Sequence, residues 1–249
     1  MTSTEQKHFD DRAHGYETEI GQEYPQALKW ELIKKYSKAG QMVLDIGGAN
    51  GRHALDMANQ SRKVTCIDLS PGMLTHMRAR EGYNTLDPMF RPSPVVARAQ
   101  ELPIASNTTD MAYCYATLLL MPDQHKAISE LVRVVKPGGY IIVDIARPWN
   151  FGWLYWKRHY QQLGFPGIFP LSSTKTRKLF RQLKCHTVEV IGTGLLTQLL
   201  YVPFVDKKTK LREWIHAHDQ SPDLDGKVTA KLPIFANREY IVLQKEAAD

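Results

Sequence analysis

Cysteine is scarce in this chain of 249 residues. Cys66, Cys114 and Cys185 are too few and too far apart for a disulfide framework or a thiolate metal cluster. Cys66 and Cys114 lie in apolar runs, where a free thiol behaves as a small buried hydrophobic group. Long hydrophobic runs are missing as well: no stretch approaches the roughly 20 apolar residues that span a bilayer. The opening "MTSTEQKHFDDRAHGYE" lacks the apolar centre of a secretory signal, so a cytoplasmic protein is expected. Repeats and low-complexity tracts are absent from the first 146 residues. No histidine sits in a convincing ligand set: His125 reads as a surface residue, and His216 and His218 have no partner acids, so no metal is expected.

What is present suits a globular enzyme-sized domain. Hydrophobic residues make up 43% and charged residues 23%, which excludes a disordered or fibrous class. The length allows a sizeable core, and a single domain over residues 1–249 is expected. The net charge of +6 is unevenly placed. Between Lys157 and Arg212 stand eleven lysines and arginines against only Glu189 and Asp206, leaving the rest of the chain slightly acidic. Such a basic part suits an anionic substrate, a membrane surface or nucleic acid, and equally a solvated face.

Hydrophobic periodicity sets the organisation. Leu28, Leu32, Ile33 and Tyr36 recur at helical spacing, predicting an amphipathic helix over about 25–38. "QMVLDI" is a short apolar run of the kind buried on both faces of a parallel sheet. After it come a helix through "ALDMANQ", a strand "KVTCID" and a helix opened by "SPGML", with Ser70 as N-cap and Pro71 at the first helical position. A strand around "PVVA", a strand "MAYCYA", a helix over about 122–135, a "KPGG" turn and a strand "YIIVDIA" follow. Five alternations of strand and helix predict a parallel sheet with helices on both faces. Beyond Ala146, "RPWNFGWLYWKRHYQQLGFPGIFP" is crowded with aromatics, basic residues and breakers, and reads as an insertion over the ligand edge. A helix in "SSTKTRKLFRQL" and strands "HTVEVIG" and "EYIVLQ" complete the chain.

The first strand ends in "VLDIGGANGR", Val43 to Arg52. A glycine turn at this place is the usual nucleotide contact of an open α/β sheet. The dinucleotide fingerprint needs glycines at its first, third and sixth places, but from Gly47 those places hold Gly47, Ala49 and Arg52. Asp45, just before the turn, also opposes a pyrophosphate and favours an ammonium. Asp68, ending the second strand in "CIDLS", stands where a carboxylate accepts hydrogen bonds from ribose hydroxyls. A cation with a ribose and no phosphate describes S-adenosylmethionine (SAM).

On these motifs the chain resembles the class I SAM-dependent methyltransferases of the group that modifies quinones, sterols and secondary metabolites. The resemblance covers residues 9 to 146 by motif, including "ELPIASNTTDMAYCYATLLLMPD" and "RVVKPGGYIIVD". It implies a Rossmann-like, doubly wound seven-stranded sheet whose last strand is antiparallel, with SAM as cofactor and S-adenosylhomocysteine as product. It carries over Asp45, Gly47, Gly48 and Gly51 as the first-motif turn, Asp68 as the ribose acid, and Leu69 and Met73 beside the adenine. Tyr16 in "HGYE" is similar to a tyrosine touching the methionine end, and Tyr115 falls at the ligand edge of the fourth strand. Arg98 stands where an acid often meets the adenine amino group, which leaves that contact to Ala99 and Gln100. Ala49 replaces a usual second glycine; its methyl is tolerated only if the local φ is negative, and it makes the turn less free. Leu119 and Leu120 replace paired histidines and imply an apolar pocket.

Methyl transfer from a sulfonium needs alignment, exclusion of water and sometimes a base. His14, Tyr16 and Tyr115 are candidates for that base, and no catalytic residue is assigned. His14, Leu119, Trp149 and Trp153 are expected on the acceptor side, with residues near 147–171 forming a lid. Trp149, Phe151, Trp153, Tyr155 and Trp156 beside Lys157 and Arg158 also suit peripheral contact with a membrane. The expected activity is methylation of a small hydrophobic or amphipathic acceptor at oxygen, carbon or nitrogen. Two alternatives stand beside it: an RNA-directed methyltransferase, and a SAM-binding interaction protein without transfer activity. "DMAYCYA" lacks the Asn/Asp-Pro-Pro-aromatic motif of many nucleic-acid enzymes, which argues against the first.

Overall fold

The computed structural model describes residues 4–15, 23–149, 152–165, 167–196, 198–199, 210–211, 213–214 and 224–247. Tyr16, Phe151, His216 and His218 lie outside them.

Seven strands form one sheet in the order β3-β2-β1-β4-β5-β7-β6. They are β1 (Met42–Ile46), β2 (Lys63–Asp68), β3 (Ser93–Val96), β4 (Thr109–Cys114), β5 (Val135–Ala146), β6 (Cys185–Thr193) and β7 (Arg238–Lys245). The first five pair in parallel, and β7 lies antiparallel between β5 and β6. This is the expected Rossmann-like α/β arrangement, with the winding reversing between β1 and β4.

Helices α2 (Glu23–Tyr36), α3 (Arg52–Ala58) and α4 (Pro71–Ala79) cover one face, burying Leu28, Ile33, Leu55 and Met77 against Val43, Cys66 and Met111. On the other, α5 (Gln124–Val134) and α7 (Ser173–Gln182) bury Ile128, Leu131 and Phe180 against Leu44, Ile46 and Val143. The apolar residues of α5 recur three and four apart, so one stripe meets the sheet. Helix α4 starts where its sequence says: Ser70 Oγ accepts the Met73 N–H at 3.0 Å, and Pro71 needs no partner for a missing N–H. Asp123 caps α5 through the Lys126 N–H.

Two local expectations change. Helix α2 runs Glu23–Tyr36 rather than 25–38. The "KPGG" segment belongs to β5: Val135 pairs with Thr109, and an irregularity between Thr109 and Met111 absorbs the residues that include Gly138 at φ +78°. Helix α1 (Thr4–Arg12) docks on α4, where Asp10 Oδ1 accepts from Ser70 Oγ at 2.5 Å and from the Gly72 N–H at 2.8 Å. Helix α6 (Trp153–Gln162) and the segment 167–171 lie over the ligand edge. The Phe169 N–H donates to the Leu119 carbonyl, and the Leu171 N–H to that of Ala146. Helix α8 (Leu224–Lys231) packs on β6.

Candidate functional site

The pleat decides which side chains meet. Asp45 is in register with Cys66 and Tyr113, so all three point to the face covered by α2 and α3. Two residues further along the strands, and so on the same face, stand Asp68, Gly47, Tyr115 and Asp144, with Tyr240 opposite Asp144 on β7. The carboxyl edge of the sheet therefore carries a row of acids and tyrosines at the mouth of a cavity of about 380 Å³.

One half of the cavity is built by the turn after β1. Gly47 (φ +71°), Ala49 (φ +47°) and Gly51 (φ +69°) put three left-handed residues into five positions. The condition for tolerating the Ala49 methyl, a negative φ, is not met: its N–H is aimed at Asp68 Oδ2, 2.9 Å away, and that bond fixes the turn. A methyl added at Gly47 would lie 2.0 Å from Thr117 Oγ1, and one at Gly48 would lie 2.7 Å from the Asp45 carboxyl. The turn is thus a bare-backbone cradle. Asp68 Oδ1 accepts the Ser70 N–H at 2.8 Å, so one carboxylate ties the β1 turn to the start of α4. Leu69, Met73, Ala97, Arg98, Ala99 and Gln100 continue the lining.

The other half has an apolar wall and a charged floor. Leu119, Leu120, Ala146, Trp156, Tyr160, Phe165 and Ile168 make the wall; Lys29, Asp144, Thr193, Asn237 and Arg238 make the floor. Asp144 is buried, with Oδ1 accepting the Ala116 N–H at 2.6 Å and Oδ2 facing Arg238 at 3.3 Å. Ala116 is held at φ +54°, so both alanines in left-handed backbone line this cavity.

Burial dominates the electrostatics. It pushes the Asp45 carboxyl up to about 7; the Tyr113 hydroxyl beside it pulls down, the Asp68 charge pushes up, and Lys29 pulls down. Asp68 is raised by burial, against the Ser70, Ala49 and Leu69 N–H groups that favour its ionised form. Burial lowers Lys29 to about 8, with Asp144 pulling the other way. His53 is lowered to about 3 by burial and by the charges of Lys29 and Arg52, so it is a neutral imidazole. The Tyr115 phenol is driven well above its ordinary value by burial, and its hydroxyl reaches the Lys29 carbonyl at 3.4 Å. It is poorly suited to act as a base at neutral pH.

Of the positions singled out from sequence, Asp45, Gly47, Gly48, Asp68, Leu69, Met73, Ala99, Gln100, Tyr115 and Leu119 meet at this cavity. Gly51 lies behind the turn against Met77. His14 is exposed and edge-on to His76, away from the lining. Trp149 is 70% exposed, and Trp153 packs from outside onto the cluster of Leu119, Ala146 and Ile168. Sequence reasoning missed Lys29, Asp144 and Arg238. A lysine on the apolar stripe of α2 and an acid inside "YIIVDIA" were the available signals for the first two.

The strain at Ala49 is testable. Left-handed backbone costs a non-glycine residue ~1–2 kcal/mol, of which the freer unfolded chain of a glycine variant takes back ~0.4–1 kcal/mol. Ala49→Gly is therefore expected to raise the melting temperature by a few degrees in a calorimetric scan, at roughly 2–4 °C per kcal/mol for a chain of this size. A lower melting temperature would show that the turn is relaxed as it stands.

Residues 44–143 match the family model described as a methyltransferase domain. An uncharacterised protein of Mycobacterium tuberculosis is 33% identical over 102 residues, covering 41% of this chain and 36% of that protein. The O-methyltransferase resE of Aspergillus sclerotiorum is 31% identical over 108 residues, covering 43% of this chain and 40% of that one. The chain thus spans about two fifths of the length of these curated relatives. Among solved structures, the phosphoethanolamine N-methyltransferase 2 of Haemonchus contortus, in complex with phosphomonomethylethanolamine and S-adenosylhomocysteine, superposes with a TM-score of 0.67 at 19% identity, covering 100% of this chain and 61% of that one. That likeness establishes the fold.

Proposed function

We propose, from the premise that residues 44–143 form a methyltransferase domain, that this protein is a SAM-dependent methyltransferase acting on a small hydrophobic or amphipathic acceptor. The observation that carries the proposal is the pairing of a bare-backbone turn at Gly47 and Gly48 with two carboxylates, Asp45 and Asp68, on one sheet edge. Two carboxylate acceptors beside bare backbone fit a ligand with an ammonium and a ribose; they do not fit a pyrophosphate. In this reading Asp45 faces the ammonium, Asp68 the ribose hydroxyls, and Leu69, Met73, Ala99 and Gln100 flank the adenine.

SAM, when bound, supplies a methyl group already activated by its sulfonium. The task left to the protein is alignment in a dry site. The aromatic and aliphatic wall from Leu119 to Ile168 excludes water, and Ala116 and Thr117 fix the edge of β4 between the two halves. Residues near 147–171 act as a lid over the acceptor, which enters against the wall.

The test is calorimetric titration with S-adenosylhomocysteine from pH 5.5 to 7.5, with NADH as control. Asp45 titrates near 7 in the free protein, and an ammonium favours its ionised form. Affinity is therefore expected to rise with pH, by roughly ten-fold or more across this window, a gain of one pKa unit corresponding to about 1.4 kcal/mol. Asp45→Asn is expected to bind more weakly at pH 7.5 and to lose most of the pH dependence. The folding linkage has the opposite sign. Because the folded-state pKa lies above the ordinary 3.8, the stability contributed by this group is present below about pH 4 and lost as pH rises to about 7. Binding of NADH in preference to S-adenosylhomocysteine would overturn the proposed function.

A further inference from the structure

Lys29 is a cation in a place that costs it dearly. It projects from the apolar stripe of α2 onto the cavity floor, is only 7% exposed, and its Nζ lies 5.3 Å from the centroid of the Tyr115 ring. Among the described residues no carboxylate or carbonyl accepts a hydrogen bond from that Nζ. The nearest candidate acids are already engaged: both oxygens of Asp144 are taken by the Ala116 N–H and Arg238, and Asp45 lies beside Tyr113 and is half neutral near pH 7. A tyrosine face offsets part of the desolvation of an ammonium but supplies no acceptor for its protons. Such a group is either a liability or half of an interaction that a ligand completes.

The surroundings say which ligand. The Lys29 Nζ stands over the ring of Tyr115 at the end of β4, and that ring packs edge-on against Tyr240 of β7, which pairs with Asp144 of β5. It therefore belongs to the floor on the β5 and β7 side, across from the half built by Asp68, Leu69 and Gln100. Arg238, Asn237 and Thr193 share this floor, and the wall above it is apolar and aromatic through Leu119, Trp156, Phe165 and Ile168. Two basic side chains, Lys29 and Arg238, stand there with one carboxyl side chain, Asp144. Lys29, Asp144 and Arg238 also lie outside the matched residues 44–143.

We infer that Lys29, with Arg238 beside it, is an anchor for an anionic oxygen group on the methyl acceptor, which is an apolar, ring-sized acid whose hydrophobic body lies against the lid wall. This rests on the proposed methyltransferase function for the placement of the cofactor half, but the anion subsite can be read separately. A neutral oxygen would accept a proton of the ammonium but leave its charge uncompensated, whereas a carboxylate or ionised hydroxyl supplies an opposite charge with a stronger, charge-assisted hydrogen bond in a site shielded from water.

The experiment measures binding of 2-naphthoate and of its neutral counterpart 2-naphthamide, by calorimetry at pH 7, to wild type, Lys29→Met and Lys29→Arg, each with and without saturating S-adenosylhomocysteine. Lys29→Met replaces a desolvated ammonium by an apolar side chain of similar length, so folding is expected to survive, and circular dichroism and the melting temperature check it. Wild type is expected to bind the naphthoate at least ten-fold more tightly than the amide. Lys29→Met is expected to abolish that preference while keeping S-adenosylhomocysteine affinity within about three-fold, and Lys29→Arg to restore part of it. No naphthoate binding, or equal affinity for the two probes in wild type, would overturn the inference. So would a loss of ten-fold or more in S-adenosylhomocysteine affinity for Lys29→Met, which would assign the ammonium to the carboxylate of the cofactor. Naphthoate preference in a wild-type protein that does not bind S-adenosylhomocysteine would sustain the anion subsite and reject the cofactor reading alone.

Discussion

Gly47→Ala is expected to weaken S-adenosylhomocysteine binding by more than a hundred-fold. Two costs combine. At φ +71° the new side chain sits in left-handed backbone, at ~1–2 kcal/mol. Its Cβ would also lie 2.0 Å from Thr117 Oγ1 and 2.8 Å from Thr117 Cβ, far inside contact distance. Thr117 is not free to swing away, because its hydroxyl donates to the Tyr115 carbonyl at 2.9 Å and its backbone leads into the Leu118–Leu120 turn. The turn must therefore move. Its displacement shifts the Gly47 and Gly48 N–H groups, which both donate to the Ile67 carbonyl, at 2.8 and 3.2 Å. Calorimetric titration of the folded variant reads the loss, and the double variant Gly47→Ala, Thr117→Gly separates the causes. Removing the clash while keeping the backbone strain should restore affinity only in part. Retention of wild-type affinity by Gly47→Ala would mean that the cofactor does not pass over this turn.

Asp68→Ala is expected to cost S-adenosylhomocysteine affinity by a factor of about 10 to 150, at ~1.5–3 kcal/mol for hydrogen bonds made by a charged group. The structure adds a second route to that loss. Asp68 holds the Ala49 N–H and the Ser70 N–H, so its removal loosens the left-handed turn and the first turn of α4 together. Some stability goes with it, since two N–H groups lose a charged acceptor. The comparison of Asp68→Asn with Asp68→Ala distinguishes the roles. Asparagine keeps one acceptor for the turn but has no charge, so it should recover most of the melting temperature and less of the affinity. Unchanged affinity in both variants would remove the ribose from this position.

Legibility from sequence tracked how local each interaction is. The β1 turn and the acid ending β2 lie in short contiguous motifs, and the strand-turn-helix context that gives them meaning is readable from hydrophobic runs and caps. The conformation of Ala49 was not readable. Its φ depends on the hydrogen bond its N–H donates to a residue nineteen positions away, on the neighbouring strand. Tyr115 was legible as a ligand-edge residue, while its buried aromatic surroundings, Tyr113 and Tyr240, come from β4 and the distant β7. The basic excess between Lys157 and Arg212 drew attention in the sequence, yet the cation that reaches the cavity floor furthest from water is Lys29, in a helix that is otherwise unremarkable in charge.

By itself, then, the sequence determined the alternation of strands and helices, the bare turn at Gly47 and Gly48 and the two carboxylates beside it, because each follows from the chemistry of neighbouring residues. Only the tertiary structure decided the acceptor half. Lys29, Asp144 and Arg238 are separated by more than a hundred residues along the chain at the first step and ninety-four at the second, and no periodicity brings them together. They meet because β7 inserts antiparallel beside β5 while α2 packs across the same face, and that long-range packing alone turns three isolated charges into one buried floor.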